Sequence, residues 1–291
     1  MLHEIAPHVL DHAYQYEKLQ SKDRLICFRD GQILLVAVSE DEWHLPTVDS
    51  VLDQRAKGEA SLRFLFHLDQ ESCYLCSEQM IKENENCFWK EIHSFRTENR
   101  ITKEERFAIY TGWHLYCWYR DNRFCGRCGG ELVHAEQERM LYCKPCGREL
   151  FPTIAPAVII ALTDGDRILL SKYAGRKYTG YALLAGFTEI GETPEQTVAR
   201  EVMEEVGLRV KNITYYRSQP GGIDCNLLLG FYCELDGTDQ IHMDQQELSM
   251  AAWYHRDEIP VEDNGFSLTF EMIGRFKHHP ELFPAGSPSG K

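Results

Sequence analysis

GFTEIGETPEQTVAREVMEEVGL, residues 186–208, is the stretch that decides the fold. Thr193 is a favourable N-cap, Pro194 suits the first helical position, and Gln196 completes a capping box. Gly207 supplies the C-terminal stop. Between these ends valine recurs every fourth residue: Val198, Val202 and Val206. We therefore predict a loop that continues into a helix with one stripe facing a core.

A neighbouring face of the same predicted helix carries three carboxylates. Glu201, Glu204 and Glu205 stand at positions i, i+3 and i+4, which are adjacent on a helix surface. Like charges this close repel, and nearby in sequence only Arg200 compensates them. Mg²⁺ and Mn²⁺ prefer oxygen ligands and would offset the charge. The alternative is a solvated acidic face, but the preceding loop, rich in glycine and glutamate, favours a metal site.

The fixed positions of this stretch resemble the Nudix box. They are Gly186, Glu192 and the run REVMEEVGL at 200–208. The resemblance implies an α/β/α Nudix sandwich, an α+β arrangement, and metal-dependent hydrolysis of a diphosphate joined to a nucleoside. It implies that the three helix glutamates bind Mg²⁺ or Mn²⁺ and act in catalysis: Glu201, Glu204 and Glu205. Glu205 is then the candidate essential ligand or base, and Glu247 corresponds to a later glutamate that reaches the metal.

Composition limits the classes of function. The chain has 291 residues, which is long enough for two domains, and its 43% hydrophobic and 26% charged residues are ordinary for a globular protein. A net charge of −14 argues against broad nucleic-acid binding through phosphates. No apolar run approaches a membrane span, and the first residues lack the apolar core of a signal peptide. We expect a cytoplasmic protein without a membrane partner.

Two C-x-x-C pairs separated by fourteen residues predict a zinc site. The pairs comprise Cys125, Cys128, Cys143 and Cys146. Four thiolates complete a tetrahedral shell, so the zinc would be structural and would stabilise a ribbon with little core of its own. A redox dithiol pair is the weaker alternative, because such motifs begin helices beside a βαβ unit. Cys73 and Cys76 also have this spacing, but on a strand they would face opposite ways.

The chain divides into five predicted segments. They are an N-terminal α+β domain at 1–95, a connecting helix at 96–121, a zinc ribbon at 122–150, a Nudix domain at 151–280 and a tail at 281–291. In the first domain we predict hairpins at 25–38, turning at Asp30-Gly31, and at 62–78. This domain carries no acidic helix, and we interpret it as structural or dimerising.

The Nudix segment is predicted to mix strands with two helices. The expected elements are strands at 157–162 and 166–173 with Thr163–Gly165 as their turn, 180–187 leading into the acidic helix, strands at 210–218, 226–235 and within 247–259, and a closing helix at 267–276.

The order of the motifs resembles the NADH pyrophosphatase subfamily. That order is the zinc ribbon, FPTIAPAVI at 151–159, LLAGFTEIGET at 183–193 and SQP at 218–220. The resemblance implies cleavage of NAD(H) into nicotinamide mononucleotide and AMP, removal of NAD caps from RNA, and a homodimer. It places substrate contacts at Ala185, Phe187, Gln219, Phe151 and Glu138. For the two phenylalanines, ordinary packing is the alternative.

One segment departs from the subfamily. After Ser218-Gln219-Pro220 the family continues with tryptophan, phenylalanine and prolines, whereas this chain has Gly-Gly-Ile-Asp-Cys-Asn at 221–226. Such a segment offers little stacking surface, so we hypothesise a weaker preference for NADH. ADP-ribose, a dinucleoside polyphosphate or capped RNA would then be the substrate. A nucleotide sensor without turnover is a further hypothesis, against which the intact glutamates count.

Overall fold

The computed structural model describes residues 1–14, 18–52, 62–96, 98–175 and 178–283, and the chain forms two compact units. The N-terminal unit contains Leu2–Ile154 together with Gly221–Cys225. The C-terminal unit contains Met1, Ala155–Pro220 and the chain from Asn226 onward. Of the predicted tail at 281–291, only the part up to 283 lies within the described residues. In the part of the chain that is described, no helix has the length and apolarity needed to cross a bilayer.

Within the described residues, the N-terminal unit is built on a seven-stranded sheet with the order β1-β5-β6-β2-β3-β4, and β7 pairs with β3. Its strands are β1 Leu10–Asp11, β2 Arg24–Arg29, β3 Gln32–Ser39, β4 Glu42–His44, β5 Arg63–Leu68, β6 Glu71–Cys76 and β7 Cys87–Glu91. Its helices are α1 Val48–Val51 and α2 Lys103–Asp121. Both predicted hairpins are confirmed. Asp30 and Gly31 have φ values of 48° and 80°, which is the left-handed backbone that tight hairpin turns require.

Helix α2 packs aromatic residues against strand β2. Thr102 caps it by accepting a hydrogen bond from the Glu105 amide. Phe28 of β2 lies with its ring centroid 5.1 Å from both Trp113 and Tyr116. These rings therefore join the helix to the sheet.

A small three-stranded antiparallel sheet follows α2, made of β8 Leu132–His134, β9 Leu141–Cys143 and β10 Glu149–Leu150. Its core is small, with Trp118, Leu132 and Leu141 packed beside two of the cysteines. So little apolar burial leaves the ribbon dependent on another source of stability.

In the described residues of the C-terminal unit, a mixed sheet has the order β14-β15-β11-β12-β16, with β13 paired to β11. Its strands are β11 Ala155–Asp164, β12 Arg167–Tyr173, β13 Leu184–Phe187, β14 Val210–Gly221, β15 Asn226–Leu235 and β16 Leu248–His255. Its helices are α3 Pro194–Val206 and α4 Leu268–His278. Strands β11 and β15 run parallel.

Alternation along β11 divides the core into two layers. Val158, Ile160 and Leu162 pack in the cluster that contains the valine stripe of α3. Ile159 and Ala161 pack in the cluster that contains the apolar face of α4. The sheet therefore lies between two helices, which is the α/β/α sandwich that the resemblance implied.

One predicted turn was wrong. Thr163 and Asp164 belong to β11, paired with Ile168 and Arg167, so the chain reverses at Gly165 and Asp166. Thr163 is buried, and its hydroxyl donates to the carbonyl of Cys233 at 3.1 Å. A polar residue that looks like a turn former is retained in the strand because its hydroxyl is satisfied there.

Candidate active site

The ends of α3 are held as the sequence predicted. The hydroxyl of Thr193 accepts from the Gln196 amide at 3.3 Å, and the Thr193 amide donates to Gln196 Oε1 at 2.8 Å. Gly207 ends the helix at φ 68°, and its amide donates to the carbonyl of Met203 at 3.0 Å. These caps define where α3 begins and ends, while its valine stripe packs against the sheet.

The glutamates of α3 differ in burial. Glu205 is 2% exposed and Glu201 is 9% exposed, whereas Glu204 faces solvent. Gly186 of β13 lies directly against the Glu201 carboxylate, and a Cβ at that position would overlap it. The glycine of the loop-helix motif therefore makes room for a carboxylate between strand and helix.

Arg200 joins the loop to the helix face. Its guanidinium donates to both carboxylate oxygens of Glu192, at 2.7 Å and 3.0 Å, and to the carbonyl of Phe187 at 2.9 Å. It also donates to Glu201 at 2.7 Å and to Glu204 at 2.9 Å. One cation therefore faces three carboxylates, and part of their charge is left uncompensated.

The excess of carboxylates over cations on the glutamate face affects the pKa values of its residues. Burial raises the pKa of Glu201, and the negative charges of Glu204 and Glu247 add to the effect, against the hydrogen bond from Arg200. By contrast, the hydrogen bond from Arg200 lowers the pKa of Glu192 to about 2. Glu204 and Glu247 therefore lie near enough to Glu201 for their negative charges to act on its carboxylate.

The donor set suits a hard divalent cation, since every side chain on this face offers carboxylate oxygens. Their ligand atoms do not converge as tightly as the cysteines do. Among the described residues, only the four cysteine thiols form a group of three or more ligand atoms lying close together. Arg200 holds Glu201 and Glu204 from one side.

The cysteine cluster is a compact metal-binding group. The sulfurs of Cys125, Cys128, Cys143 and Cys146 all lie within 4.8 Å of one another. The Cys125–Cys146 and Cys128–Cys143 sulfur distances are 3.6 Å and 3.4 Å. Zinc–sulfur bonds of about 2.3 Å place tetrahedral sulfurs roughly 3.8 Å apart, so the residues fit zinc. Cys73 and Cys76 are buried in β6, away from this group.

The residues predicted to contact substrate lie in both units. In the C-terminal unit, Ala185 lies on β13 and Phe187 ends that strand with 54% of its surface exposed. Gln219 is buried, and its amide is already engaged: Nε2 donates to the Phe266 carbonyl at 2.8 Å, and Oε1 accepts from the Leu268 amide at 2.6 Å. Gln219 thus anchors the first turn of α4.

In the N-terminal unit, Phe151 follows β10 with 52% of its surface exposed. Glu138 lies exposed between β8 and β9, where its carbonyl accepts from the Met140 amide at 2.8 Å. High exposure of Phe151 and Phe187 argues against the alternative that they are core aromatics.

Sequence reasoning missed Thr197. It is fully buried on α3, and its hydroxyl donates to Glu192 Oε2 at 3.0 Å and to the Thr193 carbonyl at 3.2 Å. Together with Arg200 it fixes the carboxylate of Glu192, a motif position whose hydrogen-bond partners the sequence did not indicate. The available signal was a threonine next to the valine stripe, where a hydroxyl needs a partner.

The segment that departs from the subfamily packs against helix α2. We call Gly221–Cys225 the turn segment, since it joins β14 to β15 and belongs to the N-terminal unit. The indole Nε1 of Trp113 on α2 donates to the carbonyl of Ile223 at 3.3 Å. A Cβ at Gly222 would overlap the backbone of Tyr110 on the same helix. Gly222 therefore permits the turn segment to pack closely on α2.

Two family models match the chain. The NUDIX domain model matches residues 153–276, and the NADH pyrophosphatase zinc ribbon domain model matches residues 120–151.

Curated relatives carry the name NAD-capped RNA hydrolase NudC. The protein from Pseudomonas fluorescens is 37% identical over 197 residues, which are 67% of this chain and 69% of the relative. The protein from Pseudomonas putida is 36% identical over 210 residues, 71% of this chain and 74% of the relative. A crystal structure of a NUDIX hydrolase from Nitrosomonas europaea is 25% identical with a TM-score of 0.48, covering 56% of this chain and 95% of that one.

Proposed function

This chain belongs to the Nudix hydrolase family, to the members that carry an NADH pyrophosphatase zinc ribbon, and from that membership we propose that it hydrolyses the diphosphate bond of NAD(H)-type dinucleotides. The products would be nicotinamide mononucleotide and AMP. The observation that carries the proposal is the glutamate face of α3, where buried Glu201 and Glu205 lie beside exposed Glu204. The same activity applied to an RNA 5′ end would remove an NAD cap, as the name of the relatives describes.

Four carboxylates would hold Mg²⁺ or Mn²⁺: Glu201, Glu204, Glu205 and Glu247. When bound, the divalent ion supplies charge neutralisation of the diphosphate and acidifies the attacking water. The raised pKa of Glu201, caused by burial and by its acidic neighbours, supports this role because a cation there would relieve the repulsion.

The chain's own residues would perform the remaining work. Glu205 accepts a proton from the attacking water at its carboxylate, while the water oxygen forms a bond to phosphorus and the bridging oxygen leaves on the nucleotide. Arg200 and Thr197 keep Glu192, and with it the loop, fixed against α3. Phe187, exposed at the end of β13, would stack on a base of the dinucleotide.

The zinc of the cysteine cluster would be structural, because four sulfurs leave no position for water. We further propose a homodimer, as the subfamily resemblance implied, and a cytoplasmic location, as expected from the sequence.

A second candidate function is hydrolysis of another nucleoside diphosphate derivative, such as ADP-ribose or a dinucleoside polyphosphate. The turn segment favours it, because Gly221–Cys225 contains no aromatic ring and packs against α2. An aromatic wall for the nicotinamide ring is then missing from this part of the sequence.

A substrate panel decides between these functions. Purified zinc-loaded protein is incubated with NADH, ADP-ribose or diadenosine diphosphate, in Mg²⁺ or Mn²⁺, and kcat/KM is measured from separated products. A strong preference for NADH supports the first function and refutes the second. Preference for another substrate reverses that conclusion, and metal-dependent binding without product supports the sensor hypothesis.

A further inference from the structure

Two cysteines outside the zinc cluster face each other where the turn segment meets α2. Tyr110, Trp113 and Cys117 are spaced by three and then four residues, so they lie on one face of α2. The turn segment runs along that face in the same direction as the helix. Gly222 packs on Tyr110, Ile223 accepts the hydrogen bond from Trp113, and Cys225 reaches Cys117.

The thiols of Cys117 and Cys225 are neighbours that act on each other's ionisation, and both side chains are half-buried. The Cys225 thiol also lies 4.0 Å from the carbonyl oxygen of Gly222 within the turn segment. Cys225 adopts a left-handed backbone conformation with φ 54°, which a non-glycine residue rarely takes. Gly222 and Ile223, which precede it, contact Tyr110 and Trp113 of α2. The position of Cys225 beside the helix is therefore set by the packing of the turn segment.

The surroundings make the two thiols unequal. The hydrogen bond from Cys225 lowers the pKa of Cys117, and the guanidinium of Arg120 acts in the same direction. The pKa of Cys225 is raised, because it shares that hydrogen bond and faces the acidic Asp224 and Asp121. Cys117 is thus the thiol that ionises, and Cys225 is the thiol placed to react with it second.

A second pair of neighbouring thiols provides an internal comparison. Cys27 and Cys76 lie opposite each other in the parallel register of β2 and β6, but they are only 0% and 5% exposed. Hydrogen bonding to Cys27 and burial raise the pKa of Cys76. The thiols are neighbours in both pairs, but only Cys117 and Cys225 can be reached from solvent.

We propose that Cys117 and Cys225 are an oxidation site at which a hydroperoxide forms a disulfide that attaches the turn segment to α2. The Cys117 thiolate attacks the terminal peroxide oxygen, so the O–O bond breaks and Cys117 becomes a sulfenic acid, with water or an alcohol leaving. The Cys225 thiol then attacks the sulfenic sulfur, so that the S–S bond forms and the S–O bond breaks, and the hydroxyl leaves as water with the proton of the Cys225 thiol. The peroxide is reduced by two electrons as the two thiols are oxidised.

The disulfide would also regulate the enzyme, and this part rests on the proposed function. Gln219 lies two residues before the turn segment on β14, and it anchors the first turn of α4. Fixing the turn segment therefore restrains the strand that carries a predicted substrate contact.

The oxidation is tested on the full zinc-loaded chain with hydrogen peroxide. Wild type and the control Cys87→Ser, which removes a partly exposed cysteine elsewhere, should lose the mass of two hydrogens and yield one peptide linking Cys117 to Cys225. Cys117→Ser and Cys225→Ser should not. Circular dichroism and zinc content verify that all variants are folded. An unlinked wild type, or linkage through the zinc cysteines, would overturn the proposal.

The regulatory part is tested by kcat/KM for NADH and ADP-ribose before and after oxidation, and again after dithiothreitol. We expect the ratio of the two values to change in wild type and in Cys87→Ser, to return on reduction, and to stay constant in Cys117→Ser. A disulfide that leaves the ratio unchanged refutes regulation. If the reduced enzyme hydrolyses neither substrate, the proposed function fails, while the mass measurement still decides the oxidation site.

Discussion

Arg200 donates two parallel hydrogen bonds to the Glu192 carboxylate, from Nε to Oε1 at 2.7 Å and from Nη2 to Oε2 at 3.0 Å. Such a bidentate pair fixes direction as well as distance. Because Nη1 of the same side chain also contacts Glu201 and Glu204, the loop and the glutamate face share one anchor. Geometry at the proposed metal site therefore depends on a residue that is not itself a proposed ligand.

Arg200→Lys should lower activity while keeping the charge. A lysine ammonium is a point donor and cannot form the two-pronged contact, so Glu192 and the loop lose their fixed orientation. We expect kcat to fall by about tenfold to a hundredfold, the range for residues that orient metal ligands. The measurement is steady-state kinetics on the best substrate. Arg209→Lys, outside this network, serves as the control, and an unchanged kcat in Arg200→Lys would refute the anchoring role.

The same pair predicts a pH dependence of stability. The pKa of Glu192 is lowered to about 2 from its ordinary value of 4.5 by the hydrogen bond from Arg200. A lowered pKa stabilises the fold above the ordinary value, and this contribution is lost as pH falls through the folded-state value. The unfolding temperature of wild type should therefore exceed that of Glu192→Gln at neutral pH, where the whole contribution is present. The difference should shrink as pH falls from 4.5 toward about 2. A difference that grows toward acid would contradict the sign.

Glu205→Gln tests the proposed base. The amide keeps the shape of the buried side chain but accepts no proton at the relevant pH. We expect kcat to fall by about 10²–10⁴-fold, the usual contribution of general acid–base catalysis. The matched control is Glu195→Gln, an exposed residue in the first turn of the same helix, which should retain activity. Near-normal turnover in Glu205→Gln, with unchanged circular dichroism and zinc content, would remove Glu205 from the mechanism.

Local signals explain what the sequence could predict. The caps of α3 need only Thr193, Gln196 and Gly207, all within one stretch, and the cysteine cluster follows from spacing. The packing of the turn segment on α2 could not be predicted. Trp113 and Ile223 are 110 residues apart in sequence, and nothing local indicates their contact. Pairings between distant residues depend on the tertiary fold, which overrides local preference.

The hydrogen bonds of the Gln219 side chain could not be predicted from the sequence either. Resemblance assigned it a substrate contact, whereas in the structure both ends of its amide bind the backbone at Phe266 and Leu268. A buried amide satisfied on both sides is a structural element in its own right. The sequence showed the residue but not the carbonyl and amide that surround it.

Gly186→Ala tests the strand–helix contact at the glutamate face. A Cβ at this position would overlap the end of the Glu201 side chain, which is flexible and would move away. The structural cost is therefore small, but the carboxylate is displaced. We expect an unfolding temperature close to wild type and a loss of kcat of about a hundredfold, as for misplaced reacting groups. Equal losses in stability and activity would point to general disruption instead.

Replacing the zinc tests whether the cysteine cluster takes part in the reaction. Cobalt binds four thiolates tetrahedrally, as zinc does, and reports the site by its absorption spectrum. If the metal is structural, the cobalt-loaded protein should keep the kcat of the zinc form at saturating Mg²⁺, because a closed shell offers no position to water or substrate. Cys143→Ser, which removes a fully buried thiol, should release the metal and expose the ribbon to proteolysis, while Cys87→Ser should do neither. A cobalt form with altered kcat but intact stability would show that the cluster contacts the reaction after all.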